Sequence, residues 1–456
     1  MTTTPSADSI YLPVEDALRR TLHNEVHARP QASISMPALV LYVAVFNEGV
    51  TREQECEHLR LLPGQQSLEP DQMHGNFMRL HLDGYTLKWE RHSEFTRYSL
   101  VYPTPSLALE NGSRADLMDL VRLPPHWLQS IPGRTIAAIR LVMLHGDLND
   151  ATGTMVQAQQ WFGEYPLVAS LMGSNGHSCA VTDFMLRPDG FEHILVIAPQ
   201  NTSQTRAGRV SQRLLELETY RLMALRGLPL VKELGPMLHQ SERELADITT
   251  SLENKSAADQ ELLDTLVSLS ARVERTTATH MYRFSATRAY QALVAQRIVE
   301  LREKPFSGMQ TIGEFMQRRL SPAMATVAAT AQRLTSLSER VARASSLLRT
   351  RVDIAAELQN QQLLAKLTRG QELQLHLQTT VEGLSIAAIS YYVISLLLYG
   401  AKALKAGGVP VNPELAVGAL IPVVLWGVWS ATRRIHKSVV MLTQKDEPKA
   451  GHPPSR

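Results

Sequence analysis

Residues 383–401 read GLSIAAISYYVISLLLYGA, nineteen residues without a charge between Glu382 and Lys402. Eighteen more uncharged residues, LAVGALIPVVLWGVWSAT, fill 415–432 between Glu414 and Arg433. Each approaches the ~20 residues a helix needs to cross a hydrocarbon core ~30 Å thick. Tyr391, Tyr392 and Tyr399 in the first stretch and Trp426 and Trp429 in the second are amphipathic aromatics that favour membrane interfaces, although Tyr391 and Tyr392 fall mid-span. The join between them, KALKAGGVPVNPE, is short and rich in Gly and Pro, as a tight hairpin requires. Two such stretches in tandem predict a transmembrane hairpin. The alternative is a helical hairpin buried in a soluble core.

Orientation follows from the basic residues. Lys366 and Arg369 precede the first span and Arg433, Arg434, Lys437 and Lys445 follow the second, against Lys402 and Lys405 in the hairpin loop. Six against two places both termini in the cytoplasm. The opening residues, MTTTPSADSIYLPVEDALRR, lack a basic segment followed by an apolar one, so no cleaved signal peptide is expected. The final QKDEPKAGHPPSR is read as a disordered tail.

A chain of 456 residues with 44% hydrophobic and 20% charged residues is long and apolar enough for a sizeable core. Its 46 Lys and Arg nearly balance its 44 Asp and Glu, so no nucleic-acid partner is expected. The two cysteines, Cys56 and Cys179, form no C-x-x-C and suit a reducing compartment.

Upstream of the spans lies a long stretch with few helix breakers. After Pro322 the next proline is Pro410, and Gly370 is the only glycine between Ala323 and Glu382. Leu334, Leu337, Val341, Ala344, Leu348, Val352, Ala355 and Leu358 recur at three- and four-residue steps, one face of a helix that starts at Ser321-Pro322. If continuous it rises ~90 Å and enters the first span directly. Gln359, Gln361, Gln362, Gln371, Gln374 and Gln378 add a polar stripe, either a solvated face or a seam between subunits. Residues 203–304 also read as helices, broken at Gly227-Leu228-Pro229, Gly235-Pro236 and Lys304-Pro305-Phe306-Ser307-Gly308, and so predict a bundle.

The N-terminal part mixes strands and helices. ALVLYVAVF (38–46) is an apolar run of β-formers, TREQECEHLRLL reads as a helix, and Phe77–Tyr102 alternates like successive strands. The same order returns with TIAAIRLVML, a helix near TMVQAQQWF and a hairpin over Pro188-Asp189-Gly190. Two related α/β halves covering one sheet are therefore expected around 38–102 and 134–199.

Two polar clusters are candidates for chemistry. LHNEVHARP (22–30) holds His23, Asn24, Glu25, His27 and Arg29. A zincin needs H-E-x-x-H, with the glutamate directly after the first histidine. Here the order is H-N-E-V-H, which turns Glu25 away from a metal-bound water. A third ligand would have to come from His81, His92 or His145, which offer no spacing argument. A hydrogen-bonding role for the cluster is the bland alternative, with Arg29-Pro30 ending a helix. The second cluster, Lys88, Glu90, Arg91, His92 and Glu94, lies on the expected hairpin and reads as cross-strand charge pairing on an exposed face. No phosphate loop, nucleophile elbow or kinase set is present.

Three segments together carry a resemblance: LHNEVHARP, LKWERHSEFTRYSLVYP and TVEGLSIAAISYYVISLLLYGAKALKAG. They resemble those of the bacterial membrane-anchored proteins of domain-of-unknown-function family 3422, from about Leu22 to Lys437. The resemblance implies a membrane-anchored topology and no particular activity. The order of cytosolic α/β domain, long helix and two C-terminal spans is also similar to that of CorA-type magnesium transporters. In those the first span ends in Tyr/Phe-Gly-Met-Asn, whereas this chain has Tyr399-Gly400-Ala401-Lys402. A ring of lysines would repel a divalent cation at a pore mouth.

The sequence therefore predicts an α+β membrane protein. Its expected parts are a cytosolic α/β domain (1–202), a helical bundle (203–320), a long stalk helix (321–382), a transmembrane hairpin (383–432) and a cytoplasmic tail (433–456). The leading functional expectation is a non-enzymatic protein of the bacterial inner membrane, without a cofactor. It would be held in the lipid bilayer as a homo-oligomer whose cytosolic part senses a ligand or binds a partner. The alternatives are a CorA-like channel, with Ser385, Ser390, Tyr391, Ser395, Tyr399 and Gly400 as pore-facing groups, and a metal-dependent enzyme using His23 and His27.

Overall fold

The computed structural model describes residues 16–20, 22–23, 32–73, 75–104, 120–254, 258–408 and 412–443. They fall into two compact units, Met1–Ser346 and Leu347–Arg456.

The first unit is built on one nine-stranded sheet. β1 (Ala38–Phe46) is buried at all nine positions, as expected for a run of apolar β-formers covered on both faces. α1 (Arg52–Arg60) follows, its first turn closed by a capping box between Thr51 and Gln54. β2 (Phe77–Leu82), β3 (Tyr85–Arg91) and β4 (Phe95–Pro103) form a meander. Its first turn is Asp83-Gly84, where Gly84 takes a φ of 82° that a two-residue hairpin demands. β5 (Arg134–His145), α2 (Ala151–Phe162), β6 (Val168–Met172), β7 (Ser178–Thr182) and β8 (Glu192–Ala198) complete the second round.

The strand order is β2-β3-β4-β1-β5-β8-β7-β6-β9. Both rounds run strand, helix, three strands, and in both the last strand lies beside the first. Their polarities differ, because β4 is antiparallel to β1 whereas β8 is parallel to β5. The two halves share a strand order and not a topology.

Alternation divides the side chains between two layers. Leu39, Leu41, Val43 and Val45 point with Leu87, Trp89, Tyr98, Leu100, Val142 and Leu195 into a core closed by Cys56 and Leu59 of α1 and Ala158, Trp161 and Phe162 of α2. The opposite face meets α3 (Gln204–Leu225), where the Tyr42 hydroxyl lies 2.7 Å from Thr219 Oγ1. α3 packs on α5 (Asp259–Leu301), and α5 on α4 (Gly227–Asn254). The two-residue strand β9 (Lys304–Pro305) pairs with β6. α6 (Ile312–Ala406) begins against this body with Met316, Leu320, Met324, Val327, Leu334, Leu337 and Val341 buried.

Two boundaries differ from expectation. Gly235-Pro236 does not end a helix, since α4 runs through Pro236. Pro322 sits inside α6, ten residues past its start. The break expected at Lys304–Gly308 is present, and Lys304-Pro305 forms a short strand within it. A proline forfeits one backbone hydrogen bond, which flanking turns and apolar packing outweigh when the helix has 28 or 95 residues.

In the second unit α6 continues to Ala406, and α7 (Pro413–Thr443) follows. Each carries a window of mean hydropathy 1.8 that is only 6% buried. Both helices are thus long and apolar enough to cross a membrane. Of the apolar face predicted from Leu334, Leu334, Leu337, Val341 and Leu348 are buried, whereas Ala355 and Leu358 are exposed. The tail from 444 lies outside the described residues.

Candidate functional site: a charged cavity between the sheet and α3

A cavity of about 280 Å3 lies between α3 and the sheet face formed by β2, β3, β4 and β1. Period-two alternation places Thr86, Lys88 and Glu90 of β3 on its floor with Arg97, Ser99 and Val101 of β4. In the β3–β4 register Glu90 stands directly opposite Arg97, and Lys88 opposite Ser99. Arg79 and His81 of β2 and Val40 and Tyr42 of β1 extend the floor, and Gly208, Ser211, Gln212 and Leu215 of α3 roof it.

One wall is the segment Ala32–Ser35, pinned to the start of α3. The Ile34 N–H donates to Gln204 O (3.1 Å) and the Ser33 hydroxyl to Gln204 Oε1 (3.2 Å). The approach requires a glycine on the helix. A β-carbon at Gly208 would stand 2.1 Å from Ala32 O and 2.8 Å from Ser33 N, both backbone atoms.

The floor is a chain of alternating charge. Lys88 Nζ lies 3.0 Å from Glu90 Oε2, and Arg97 Nε donates to the same oxygen. Arg97 Nη1 donates to Glu216 Oε1 of α3 at 3.1 Å. Glu216 also accepts from Gln212 (2.8 Å) and from Arg297 Nε of α5 (2.6 Å), and Arg297 in turn binds Glu300. Glu90 is 1% exposed and Arg97 3%, so these are desolvated ions whose stability rests on mutual pairing. Burial alone would raise the Glu90 carboxyl, but the charges and hydrogen bonds of Arg97 and Lys88 outweigh it and bring it down to about 2. Burial would likewise raise Glu216, and Arg97, Gln212 and Arg297 hold it below the usual range. Burial lowers the Lys88 ammonium, which Glu90 offsets only in part.

Two polar atoms of this chain are left over. Arg97 Nη2 and Glu90 Oε1 are buried and have no hydrogen-bond partner. An unmatched donor and an unmatched acceptor beneath a cavity each carry a desolvation cost of ~1–3 kcal/mol that a bound molecule can relieve.

The structure splits the cluster predicted over Lys88–Glu94. Lys88 and Glu90 face the cavity. Arg91 faces the opposite layer, where its Nη1 lies 2.7 Å from Glu55 Oε2. The His92 ring stacks on Phe95 at 4.5 Å, and Glu94 pairs with Arg283 of α5. An exposed, solvated face is thus replaced by separate settings in which Glu90 is buried and Lys88, Arg91, His92 and Glu94 are half-buried, because both faces of the sheet are covered. Sequence reading missed Arg97, Glu216 and Arg297. The signal available was a lone charge in FTRYSLVY and two acids in the apolar run LLELETYRL.

Of the first cluster, His23 is exposed in a helical turn, and Asn24, Glu25, His27 and Arg29 lie outside the described residues. Among the described residues no three His, Cys, Asp or Glu side chains converge on a metal position. His81 lines the cavity, while His92 stacks at the β3–β4 turn and His145 ends β5. On α6, Ser385, Tyr391, Tyr399 and Gly400 are exposed, Ser395 is half-buried and Ser390 is buried. A helix of 3.6 residues per turn sets Ser385 and Ser390 about 140° apart, and Ser390 and Ser395 about 140° again. The three serines share no face.

A family model described as "Protein of unknown function (DUF3422)" matches residues 14–439. The sequence matches no curated protein.

Proposed function

The chain belongs to the DUF3422 family of proteins of unknown function, and on that premise we propose a membrane-anchored sensor that binds a small polar molecule in the cavity beneath α3. The carrying observation is the cavity floored by Lys88, Glu90 and Arg97, beneath which Arg97 Nη2 and Glu90 Oε1 are buried without a hydrogen-bond partner. A matching ligand brings one acceptor and one donor, as a small hydroxy or amino acid does. The volume, near the lower end for ligand sites, limits it to a few carbons.

The role proposed is binding, not catalysis. The floor's charges are locked in pairs, which suits recognition better than proton transfer. The chain Lys88–Glu90–Arg97–Glu216–Arg297 runs from β3 to α5, so a ligand that draws on Arg97 also disturbs the pairing of α3 with α5. Anchoring is supported by the two exposed apolar helices, and the basic residues favour cytoplasmic termini at a bacterial inner membrane. Oligomerisation is supported by Leu358, Leu363, Leu364 and Leu367, each more than half exposed on α6 ahead of the first apolar window.

The test is calorimetric titration of the full chain in non-ionic detergent with two- to six-carbon hydroxy, amino and dicarboxylic acids. At least one is expected to bind saturably to the wild type and at least about tenfold more weakly to Gly208→Ala, whose new methyl displaces the Ala32–Ser35 wall. Lys88→Gln serves as a second variant that leaves the wall in place. No binding across the series, or equal binding by all three proteins, would remove the reading.

A further inference from the structure

A second concave site in the first unit is basic. It measures about 350 Å3 and lies where the β6–β7 turn meets the start of α3 and the end of α5. The Gly173 N–H donates to Leu301 O at 2.8 Å, tying the turn to α5. Gly173 has a φ of 81°, and a β-carbon there would stand 2.5 Å from the His177 ring. Glycine therefore lets the imidazole fold against the turn at the cavity edge.

Arg206, Arg209 and Arg213 recur at three- and four-residue steps on α3 and share one face. Arg302, the left-handed C-cap of α5, joins them from the other side. Four guanidiniums thus line the cavity against one carboxylate, Glu300. That carboxylate is already held by Arg297 at 2.9 Å and lies 3.5 Å from Arg213. Arg206, Arg209 and Arg302 make no side-chain ion pair or hydrogen bond among the described residues. Burial lowers the pKa of His177, and the charges of Arg206, Arg209 and Arg213 lower it further, so the imidazole registers the same positive field.

We propose that this cavity binds a phosphate group, borne by a small soluble ester or by a phospholipid headgroup. Unpaired like charges around one concavity repel, and an anion between them reverses the sign of that interaction. Guanidiniums arriving from two helices surround a tetrahedral oxyanion better than a planar carboxylate, and each can engage two of its oxygens. The site is separate from the cavity beneath α3 and does not depend on the function proposed for it.

The experiment titrates inorganic phosphate into the full chain in phosphate-free non-ionic detergent at low salt. Saturable binding is expected, weakened about tenfold or more in the double variant Arg206→Ala/Arg209→Ala. Arg318→Ala/Arg319→Ala removes the same charge from exposed positions of α6 outside the cavity and is expected to bind within about twofold of wild type. Competition then identifies the source. Short-chain phosphatidic acid displacing phosphate more strongly than glycerol 3-phosphate assigns a lipid headgroup, and the reverse order assigns a soluble ester. No saturable phosphate binding, or equal weakening in both double variants, overturns the site.

Discussion

Arg97 holds three secondary-structure elements together through one guanidinium, and its partner Glu90 makes that dependence measurable. The Glu90 carboxyl sits at about 2 in the folded chain, below its ordinary 4.5. Its contribution is therefore complete above about pH 4.5 and disappears as pH falls toward 2. The depression corresponds to about 3 kcal/mol. Glu90→Gln is expected to flatten the loss of stability across that window, read as the unfolding midpoint of the detergent-solubilised chain between pH 5.5 and 2.5. An identical slope in variant and wild type would refute the assignment. At this scale the sequence was partly legible. Lys88 and Glu90 stand out as a charged pair in a strand, but their burial does not, because it depends on α3, more than a hundred residues away in the chain. Glu216, which completes the pairing of Arg97, lies 119 residues from it.

At the scale of elements, most strands and both membrane-length helices follow from pattern alone, whereas the short strands β6 and β9 were not read from the sequence. β1 is a run of β-formers, the Asp83-Gly84 turn fixes the β2–β3 hairpin, and the uncharged stretches fall within α6 and α7 as expected. Helix ends were less legible, because Pro236 and Pro322 are carried inside long helices by packing that outweighs one lost hydrogen bond. The exposed apolar surface of α6 makes a direct prediction. Leu396 and Leu397 lie within its uncharged stretch and are 70% and 39% exposed. Leu396→Arg/Leu397→Arg adds ~2.5–3.5 kcal/mol of insertion cost per arginine near a span centre. The variant is expected to shift from the membrane pellet to the alkaline-carbonate supernatant. Unchanged retention would argue against insertion of this helix.

For the whole molecule, orientation and assembly are the properties to measure. Cys56 and Cys179 are both buried, which leaves a low background for thiol labelling. A membrane-impermeant maleimide is expected to label Lys405→Cys in the hairpin in spheroplasts, and Lys232→Cys on α4 only after lysis. The reverse pattern would invert the proposed topology. In non-ionic detergent the particle is expected to exceed the 50.7 kDa of one chain, and a monomer at all concentrations would leave the exposed leucines of α6 without the partner proposed for them.

Local chemistry in the sequence determined most of the strand runs, the tight turns, the two membrane-length helices and the long uninterrupted helix leading to them, because each depends on residues within a few turns of one another. Only the tertiary structure decided that nine strands form one sheet with β5 and β8 parallel, that both sheet faces are covered, and that Lys88, Glu90, Arg97, Glu216 and Arg297 join in one desolvated chain. Which charges meet away from water depends on how distant segments pack, and residue spacing along a chain does not encode that packing.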